Sequence, residues 1–374
     1  MKRVIDSVGI FSQDVAPLAD PTFSATVIGW QKQHGRHALP WQNTRDAYRI
    51  WLSEIMLQQT QVAAVIPYYQ RFLLRFPDVN TLAAAPSEEV MAHWSGLGYY
   101  TRARNLHRCA QRIVAEYGGV FPADPALLAD LPGIGRSTAA AISAFSYGTL
   151  AAILDGNVKR VFARVFGVEG YPGEKKIENA LWERAVALLP PQQVESYTQG
   201  LMDLGATLCT RSRPACTRCP LAPRCVALAT GRIAELPVRK PKKVIPEKQT
   251  SMLVIIDRGQ VLLEQRPDHG IWGGLLSLPE AALLPDQLDD DIARSVASFG
   301  VLATWNRLLP LTHGFTHFKL HIAPYKITLS RRLDLAGQRQ HVWVHTDQLA
   351  LAPLPAPVKK MLLTLCAEDD LFAV

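Results

Sequence analysis

At 374 residues the chain is too long for one ordinary hydrophobic core, which excludes a single small module and predicts two or three domains. Apolar residues make up 48% and charged residues 20%, a globular profile that excludes a disordered or low-complexity chain. A net charge of +7 and a pI near 9.1 favour a polyanionic partner, although charge alone identifies none.

Residues 1 to about 230 read as helical. Lys2 and Arg3 open no secretory leader, because Asp6 interrupts any apolar region, so secretion is not expected. Tyr48, Trp51, Leu52, Ile55 and Met56 recur at i, i+3, i+4, i+7 and i+8, which predicts a helix with a core-facing stripe. Glu54 lies off that stripe, on a flank with Gln58 one turn later. Similar patterns predict helices near 61–75, 87–95 and 101–116, separated by turns such as Phe76-Pro77-Asp78 and Gly118-Gly119.

Two further predicted helices, near 125–130 and 136–146, flank Leu131-Pro132-Gly133-Ile134-Gly135-Arg136-Ser137. Pro132 ends the first. Gly133 and Gly135 permit left-handed backbone angles and close approach, and their N–H groups join the N-terminus of the second helix in an anion site. No strand precedes this loop, so a dinucleotide fingerprint is excluded. In a basic, helical chain, a hairpin gripping a DNA phosphate is a better reading than a plain tight turn. The longest uncharged run, Ser137–Leu154, is broken by Ser143, Ser146, Tyr147, Gly148 and Thr149, and predicts a buried helix rather than a membrane span. Asp155-Gly156-Asn157 then precedes a predicted helix at 157–166, a place where aspartate is ordinarily a cap or turn residue. Another helix is predicted at 176–189.

Six cysteines occur, and four of them follow the pattern Cys209-x6-Cys216-x2-Cys219-x5-Cys225, while Cys109 and Cys366 stand alone. A disulfide scaffold would be short and would spread its cysteines, so a metal site in a reducing compartment is preferred. Soft thiolate ligands select zinc or an iron–sulfur cluster. Structural zinc sites usually show two Cys-x2-Cys knuckles and only one occurs here, which leaves zinc the weaker of the two. Arg211, Arg213, Arg218 and Arg224 interleave with the cysteines, either to contact phosphates or to offset the charge of the centre.

Between Arg232 and Lys248, Pro237, Pro241 and Pro246 accompany six basic and two acidic residues, which reads as a stiff basic linker. Beyond it the chain turns β-rich. Ser251–Asp257 and Gln260–Arg266 are apolar runs joined through Arg258-Gly259, a hairpin signal. Strands are expected at 315–322, 324–330 and 341–345, with helices near 286–298 and 356–366.

The cysteine spacing, the Leu-Pro-Gly-Ile-Gly loop and the downstream Asp155 together resemble the helix–hairpin–helix glycosylase superfamily typified by endonuclease III. Within it, Trp51-Leu52-Ser53-Glu54-Ile55-Met56-Leu57-Gln58-Gln59-Thr60-Gln61-Val62, Gly96-Leu97-Gly98-Tyr99-Tyr100 and Met202-Asp203-Leu204-Gly205-Ala206 resemble the adenine-specific MutY branch. The resemblance covers residues 38–230 closely and the remainder more loosely. It implies a mainly α fold: a six-helix domain with the hairpin at 39–149, a cluster domain from 1–38 and 150–231, the linker at 232–248 and a small α+β Nudix-like domain at 249–374. It also implies a [4Fe-4S] cluster on Cys209, Cys216, Cys219 and Cys225.

The implied activity is release of adenine mispaired with 8-oxoguanine or guanine in double-stranded DNA. By resemblance Glu54 is the general acid and Asp155 stabilises or traps the oxocarbenium-like sugar, supported by Asn157. Trp41 and Gln199 line the adenine pocket. Gln58, Gln59 and Tyr99 contact the duplex, the last two as wedges, and Gly133, Gly135 and Lys159 lie along the DNA. Where the lyase branch carries a nucleophilic lysine this chain has Ser137, which has no amine, so hydrolysis without strand cleavage is implied. Lys159 is allowed only an adventitious Schiff base.

In the C-terminal domain the catalytic Nudix signature is missing after Gly273-Gly274, and Asp289-Asp290-Asp291 does not supply its spacing. His313-Gly314-Phe315-Thr316-His317 resembles a lesion-reading loop whose usual middle residue is serine, which assigns Phe315, Thr316 and His317 to the lesion. A cytoplasmic monomer, nucleoid-associated if bacterial, without membrane contact is expected, with other repair proteins met through the linker. Two other readings stand beside this one. An endonuclease III-like pyrimidine glycosylase and lyase is opposed by Ser137 and by the lesion-reading domain. A non-catalytic cluster-bearing DNA-binding protein would leave both carboxylates structural.

Overall fold

A computed structural model of the chain describes residues 18–240, 244–267, 269–333 and 340–371. The reading of Lys2, Arg3 and Asp6, residues 1–17 of the proposed cluster domain, 241–243 of the linker, and 268, 334–339 and 372–374 of the C-terminal domain lie outside the described residues. The described residues fall into two compact units, one drawn from those within 1–50, 122–130 and 134–241, the other from those within 51–121, 131–133 and 242–374.

The first unit is helical: Pro21–His34, Pro125–Ala129, Arg136–Tyr147, Gly156–Val165, Lys175–Ala187 and Val194–Asp203. Pro21–His34 starts on a strong signal, because Asp20 accepts from the Thr22 and Phe23 N–H groups and Pro21 is set for the first helical position. Phe23 and Val27 then pack with Val158, Phe162, Tyr197 and Leu201 in one apolar core. Phe23 meets Phe162 edge-on at 5.9 Å between centroids. Arg224, in the cysteine-rich segment, pairs with Asp20, which ties the start of this helix to the metal-ligand candidates.

The segment read as linker begins later than expected. Leu236 is buried in the same core and its carbonyl accepts from Arg164 Nε at 2.8 Å, while Arg232 bonds Glu169 and Glu235. Apolar Ile233 and Leu236 among the charges anchor this stretch, so its composition misleads.

The helix Ala47–Leu57 carries the chain into the second unit. All five stripe residues are buried, and so are Ile50 and Ser53, which makes the buried face wider than the pattern suggests. Val62–Arg75, Val79–Ala84, Ser87–Trp94 and Thr101–Tyr117 follow. Val79–Ala84 is too short to show a periodicity and escapes sequence reading; Asp78 caps it through the Thr81 N–H at 2.8 Å.

The same unit holds eight described strands: β1 (Glu247–Asp257), β2 (Gln260–Gln265), β3 (Leu276–Ser277), β4 (Glu280–Ala281), β5 (Gly300–Arg307), β6 (Leu311–Gly314), β7 (Lys319–Arg332) and β8 (His341–His345). The order is β3-β2-β1-β7-β5, with β4 on β1, β6 on β7 and β8 on β2. Only β1 and β7 run parallel among these pairs. The hairpin signal holds: Arg258 and Gly259 both have positive φ, as a two-residue primed turn requires.

Two expectations about the later strands are corrected. Pro324 does not divide 315–330 into two strands, because its carbonyl accepts from Leu308 N–H opposite the short gap between β5 and β6, where the missing proline donor costs the ladder one bond. Residues 315–318 are not strand but the tip of the β6–β7 hairpin, closed by Phe315 N–H to the Phe318 carbonyl at 2.8 Å.

The helix Leu288–Val296 covers one face of the sheet through Ile292 and Val296, which join Leu253, Ile255, Leu262 and Ile327 in the core. Asp291 is buried and accepts from Leu284 N–H, and Asp289 accepts from Trp305 Nε1 at 2.7 Å, so two of the three consecutive aspartates are held in structural bonds. A C-terminal helix, Ala356–Leu371, extends beyond its expected end. No helix among the described residues is long and apolar enough to cross a membrane.

Candidate active site

Asp155 is the N-cap of Gly156–Val165, with Oδ1 accepting from the Val158 N–H at 2.8 Å. Burial pushes its carboxyl above the ordinary carboxylate range. The Val158 and Asn157 N–H groups, Arg160 and the Asn157 amide pull the other way and are outweighed. Asn157 Nδ2 donates to Asp155 Oδ2 at 3.3 Å, and Asn157 Oδ1 accepts from Arg160 Nη2 at 2.7 Å.

Arg160 continues the network, donating to the Gly205 carbonyl at 2.7 Å and the Cys209 carbonyl at 2.7 Å. Gly205 has a role that its sequence context does not reveal. Here a Cβ on it would lie 2.5 Å from Asn157 Cβ, so only glycine lets the π-turn Leu204–Leu208 seat against this helix. Ser137 Oγ accepts from the Leu154 N–H at 3.0 Å, holding the hairpin helix against the approach to Asp155.

In the same unit Trp41 is buried, and Gln199 Nε2 donates to Asp203 Oδ1 at 2.9 Å. Asp203 is fully buried and also accepts from the Arg36 backbone and from Arg36 Nε at 2.6 Å, so the Gln199 amide is oriented by a fixed ion pair. Lys159 Nζ lies 2.5 Å from Glu178 Oε1, so its ammonium is already paired.

Glu54, on the helix Ala47–Leu57, and Gln58, in the turn just after it, are both half-buried in the second unit. Gln58 Nε2 donates to the Gly133 carbonyl at 3.3 Å. Gln58, Gln59, Tyr99 and Gly133 line a concavity of about 180 Å³ with Ile55, Thr101, Arg102 and Asn105. Gln59 is exposed and Tyr99 is 48% exposed, and both sit at positive φ, 56° and 49°.

The two hairpin glycines differ. Gly133 has φ of 80°, and a Cβ there would meet Asn105 Cβ at 2.9 Å. Gly135 caps the helix Arg136–Tyr147 at φ −90° with open space around it, so left-handed geometry is needed only at Gly133.

The four clustered cysteines line one pocket with Val161, Val165, Leu204 and Leu221. Burial pushes the Cys219 thiol up to about 11, helped by the nearby Cys209, Cys225 and Cys216 sulfurs. Among the described residues no group of three or more His, Cys, Asp or Glu stands close enough to hold a metal ion. Arg211, Arg213 and Arg218 are exposed; the buried arginine aimed at a sulfur is Arg164, whose Nη1 lies 3.4 Å from Cys209 Sγ. It lies 45 residues before Cys209, on the helix Gly156–Val165, so only the fold reveals it.

In the sheet domain Phe315 is half-buried and stacks on Phe318 at 4.4 Å and 17°, with Trp272 at 5.8 Å and His313 at 4.7 Å. Thr316 and His317 are exposed at the hairpin tip.

Residues 52–186 match the HhH-GPD superfamily of base excision DNA repair proteins, and residues 251–364 match the NUDIX domain. The first match spans the hairpin 131–137 and the capping Asp155. A solved thermostable thymine-DNA glycosylase shares the fold over 56% of this chain and 96% of its own, with 31% identity and a TM-score of 0.51. An adenine DNA glycosylase of Buchnera aphidicola is 36% identical over 341 residues, covering 91% of this chain and 96% of that protein. One of Mus musculus is 32% identical across 92% of this chain and 78% of its own. The chain belongs to the adenine DNA glycosylase family.

Proposed function

We propose that the chain releases adenine mispaired with 8-oxoguanine or guanine in double-stranded DNA, hydrolysing the N-glycosidic bond after the base has left the stack. The observation that carries this reading is the enclosed Asp155 carboxylate, held by two donors at a helix N-terminus, in a member of this family.

Adenine departs poorly as an anion, so Glu54 protonates a ring nitrogen as the bond breaks. The sugar becomes oxocarbenium-like, and Asp155, poorly solvated and therefore strongly felt, stabilises that charge or traps it covalently. Asn157 fixes the orientation of the carboxylate. Trp41 and Gln199 contact the extruded adenine. Gln59 and Tyr99 enter the duplex beside Gln58, and the Gly133 and Gly135 N–H groups bind a phosphate. Lys159 approaches the backbone only as a pair with Glu178. Phe315, Thr316 and His317 read the opposing lesion. Ser137 has no amine, so the abasic strand stays intact. The work is done in the cytoplasm, on the nucleoid.

The same reading assigns a [4Fe-4S] cluster to Cys209, Cys216, Cys219 and Cys225, supported by soft thiol donors lining one apolar pocket, although the described side chains are not gathered closely enough to hold a single metal ion. Bound there, it would close the segment Cys209–Cys225 on itself through the four thiolates.

The test incubates the protein with duplexes carrying adenine opposite 8-oxoguanine, with and without later alkali. Strand breaks only after alkali are expected, and Glu54→Gln and Asp155→Asn should bind the duplex yet lose on the order of 10²-fold or more in base release. Breaks at oxidised pyrimidines or at thymine opposite guanine, without adenine release, would replace this reading.

A further inference from the structure

Arg102, from the helix Thr101–Tyr117, was not singled out by its sequence motif. Its side chain is 9% exposed and runs inward. Nη1 donates to the carbonyls of Ile55 at 3.0 Å, Met56 at 2.8 Å and Gln58 at 2.7 Å. Nη2 donates to Thr60 Oγ1 at 3.1 Å and to the carbonyls of Leu97 at 3.4 Å and Gly98 at 3.2 Å. Four N–H bonds are thus shared over six acceptors, an arrangement that needs the planar fork of a guanidinium.

The acceptors belong to two separate stretches. One closes the helix Ala47–Leu57 and runs through Gln59, the other runs from Leu97 to Tyr99. Each carries a non-glycine residue at positive φ, Gln59 and Tyr99, a conformation that persists only where the surroundings impose it. The guanidinium also lies under the Tyr99 ring at 5.4 Å and over Trp94 at 5.3 Å. Burial lowers its pKa to about 10, which leaves it charged at neutral pH.

We propose that Arg102 is a positioning residue shared by both wedges: it holds the Gln58–Thr60 and Leu97–Tyr99 loops in one arrangement, so that Gln59 and Tyr99 enter the duplex as a single preset unit. It touches neither base nor sugar. The inference rests on the glycosylase reading above and deepens it, since preset wedges lower the ordering needed when the stack is opened.

A wedge matters only where bases must be unstacked, and this separates positioning from general structural support. Single-turnover adenine release is measured on a fully paired duplex with adenine opposite 8-oxoguanine, and on the same adenine inside an unpaired bubble. Arg102→Lys, which keeps the charge but has three donors and no fork, should lose roughly tenfold or more on the duplex and little on the bubble. Gly98→Ala provides a second route if Arg102→Lys folds poorly. Gly98 has φ of 77° with open space around it, so alanine strains the loop without a clash and without altering the Arg102 side chain. It should show the same duplex-selective loss. Adding Arg102→Lys to a Gln59→Ala, Tyr99→Ala protein should cost little more, because the wedges it serves are gone. Equal losses on duplex and bubble by both variants, or an additive loss in the triple variant, would overturn the proposal. If the unaltered protein releases adenine from neither substrate, the glycosylase reading itself fails, a different result from either of these.

Discussion

Burial pushes the Asp155 carboxyl up while Val158, Asn157 and Arg160 pull it down, and the balance decides at which pH it is ionised. A group that must be a carboxylate to stabilise a cation loses function as pH falls through its pKa. Because burial wins, the acid limb of the rate profile should lie above the ordinary carboxylate range. Asn157→Ala removes one of the lowering influences, so the limb should move to still higher pH. Single-turnover rates across pH check this, and an unmoved or lowered limb would show that the Asn157 bond does not tune the acid. Sequence reading reached Asp155 and Asn157 through a motif but not the partners that set their chemistry. Arg160 lies one turn along the helix, while Gly205 and Cys209 are brought to it from some fifty residues away in the chain.

At the scale of elements, the hairpin 131–137 was legible because proline and glycine act locally, and its flanking helices appear where expected at Pro125–Ala129 and Arg136–Tyr147. The roles of its glycines were not. Gly133→Ala forces an L side chain to φ 80° and against Asn105, which should cost at least about 1–2 kcal/mol in stability and weaken DNA binding, with a shallower salt dependence. Gly135→Ala, in open space at φ −90°, should leave thermal melting nearly unchanged. Melting curves and salt titrations of the two variants decide this; equal destabilisation would refute the distinction. Among the strands, β1 and β2 carry clean apolar runs and a turn signal. β5 and β6 were missed because their exposed, mixed faces show no alternation: Gly300–Arg307 buries only Gly300 among its eight residues.

For the whole molecule, two parts of the chain make separable predictions. Phe315 sits within an aromatic group that holds the hairpin tip, and His317 is exposed at that tip. His317→Ala should therefore reduce the preference for 8-oxoguanine over guanine opposite the adenine while keeping release from the adenine–guanine pair; equal loss on both pairs would remove His317 from lesion reading. The cysteine pocket predicts a brown protein with about four irons per chain. Metal analysis finding zinc instead would reassign the site without touching the carboxylates.

Local chemistry in the sequence determined the helical character of the first 230 residues, the hairpin and the β-rich C-terminal part, because helix period and turn residues are properties of neighbours along the chain; the two carboxylates stood out only through the family resemblance. The tertiary structure alone decided that Leu236 is core and not linker, that Gly133 and not Gly135 needs to be glycine for its backbone, and that Arg164 reaches a cysteine sulfur. It also decided that one buried guanidinium, Arg102, serves two loops. Each of these rests on groups far apart in sequence competing for the same buried space and the same hydrogen bonds, a competition that no local pattern records.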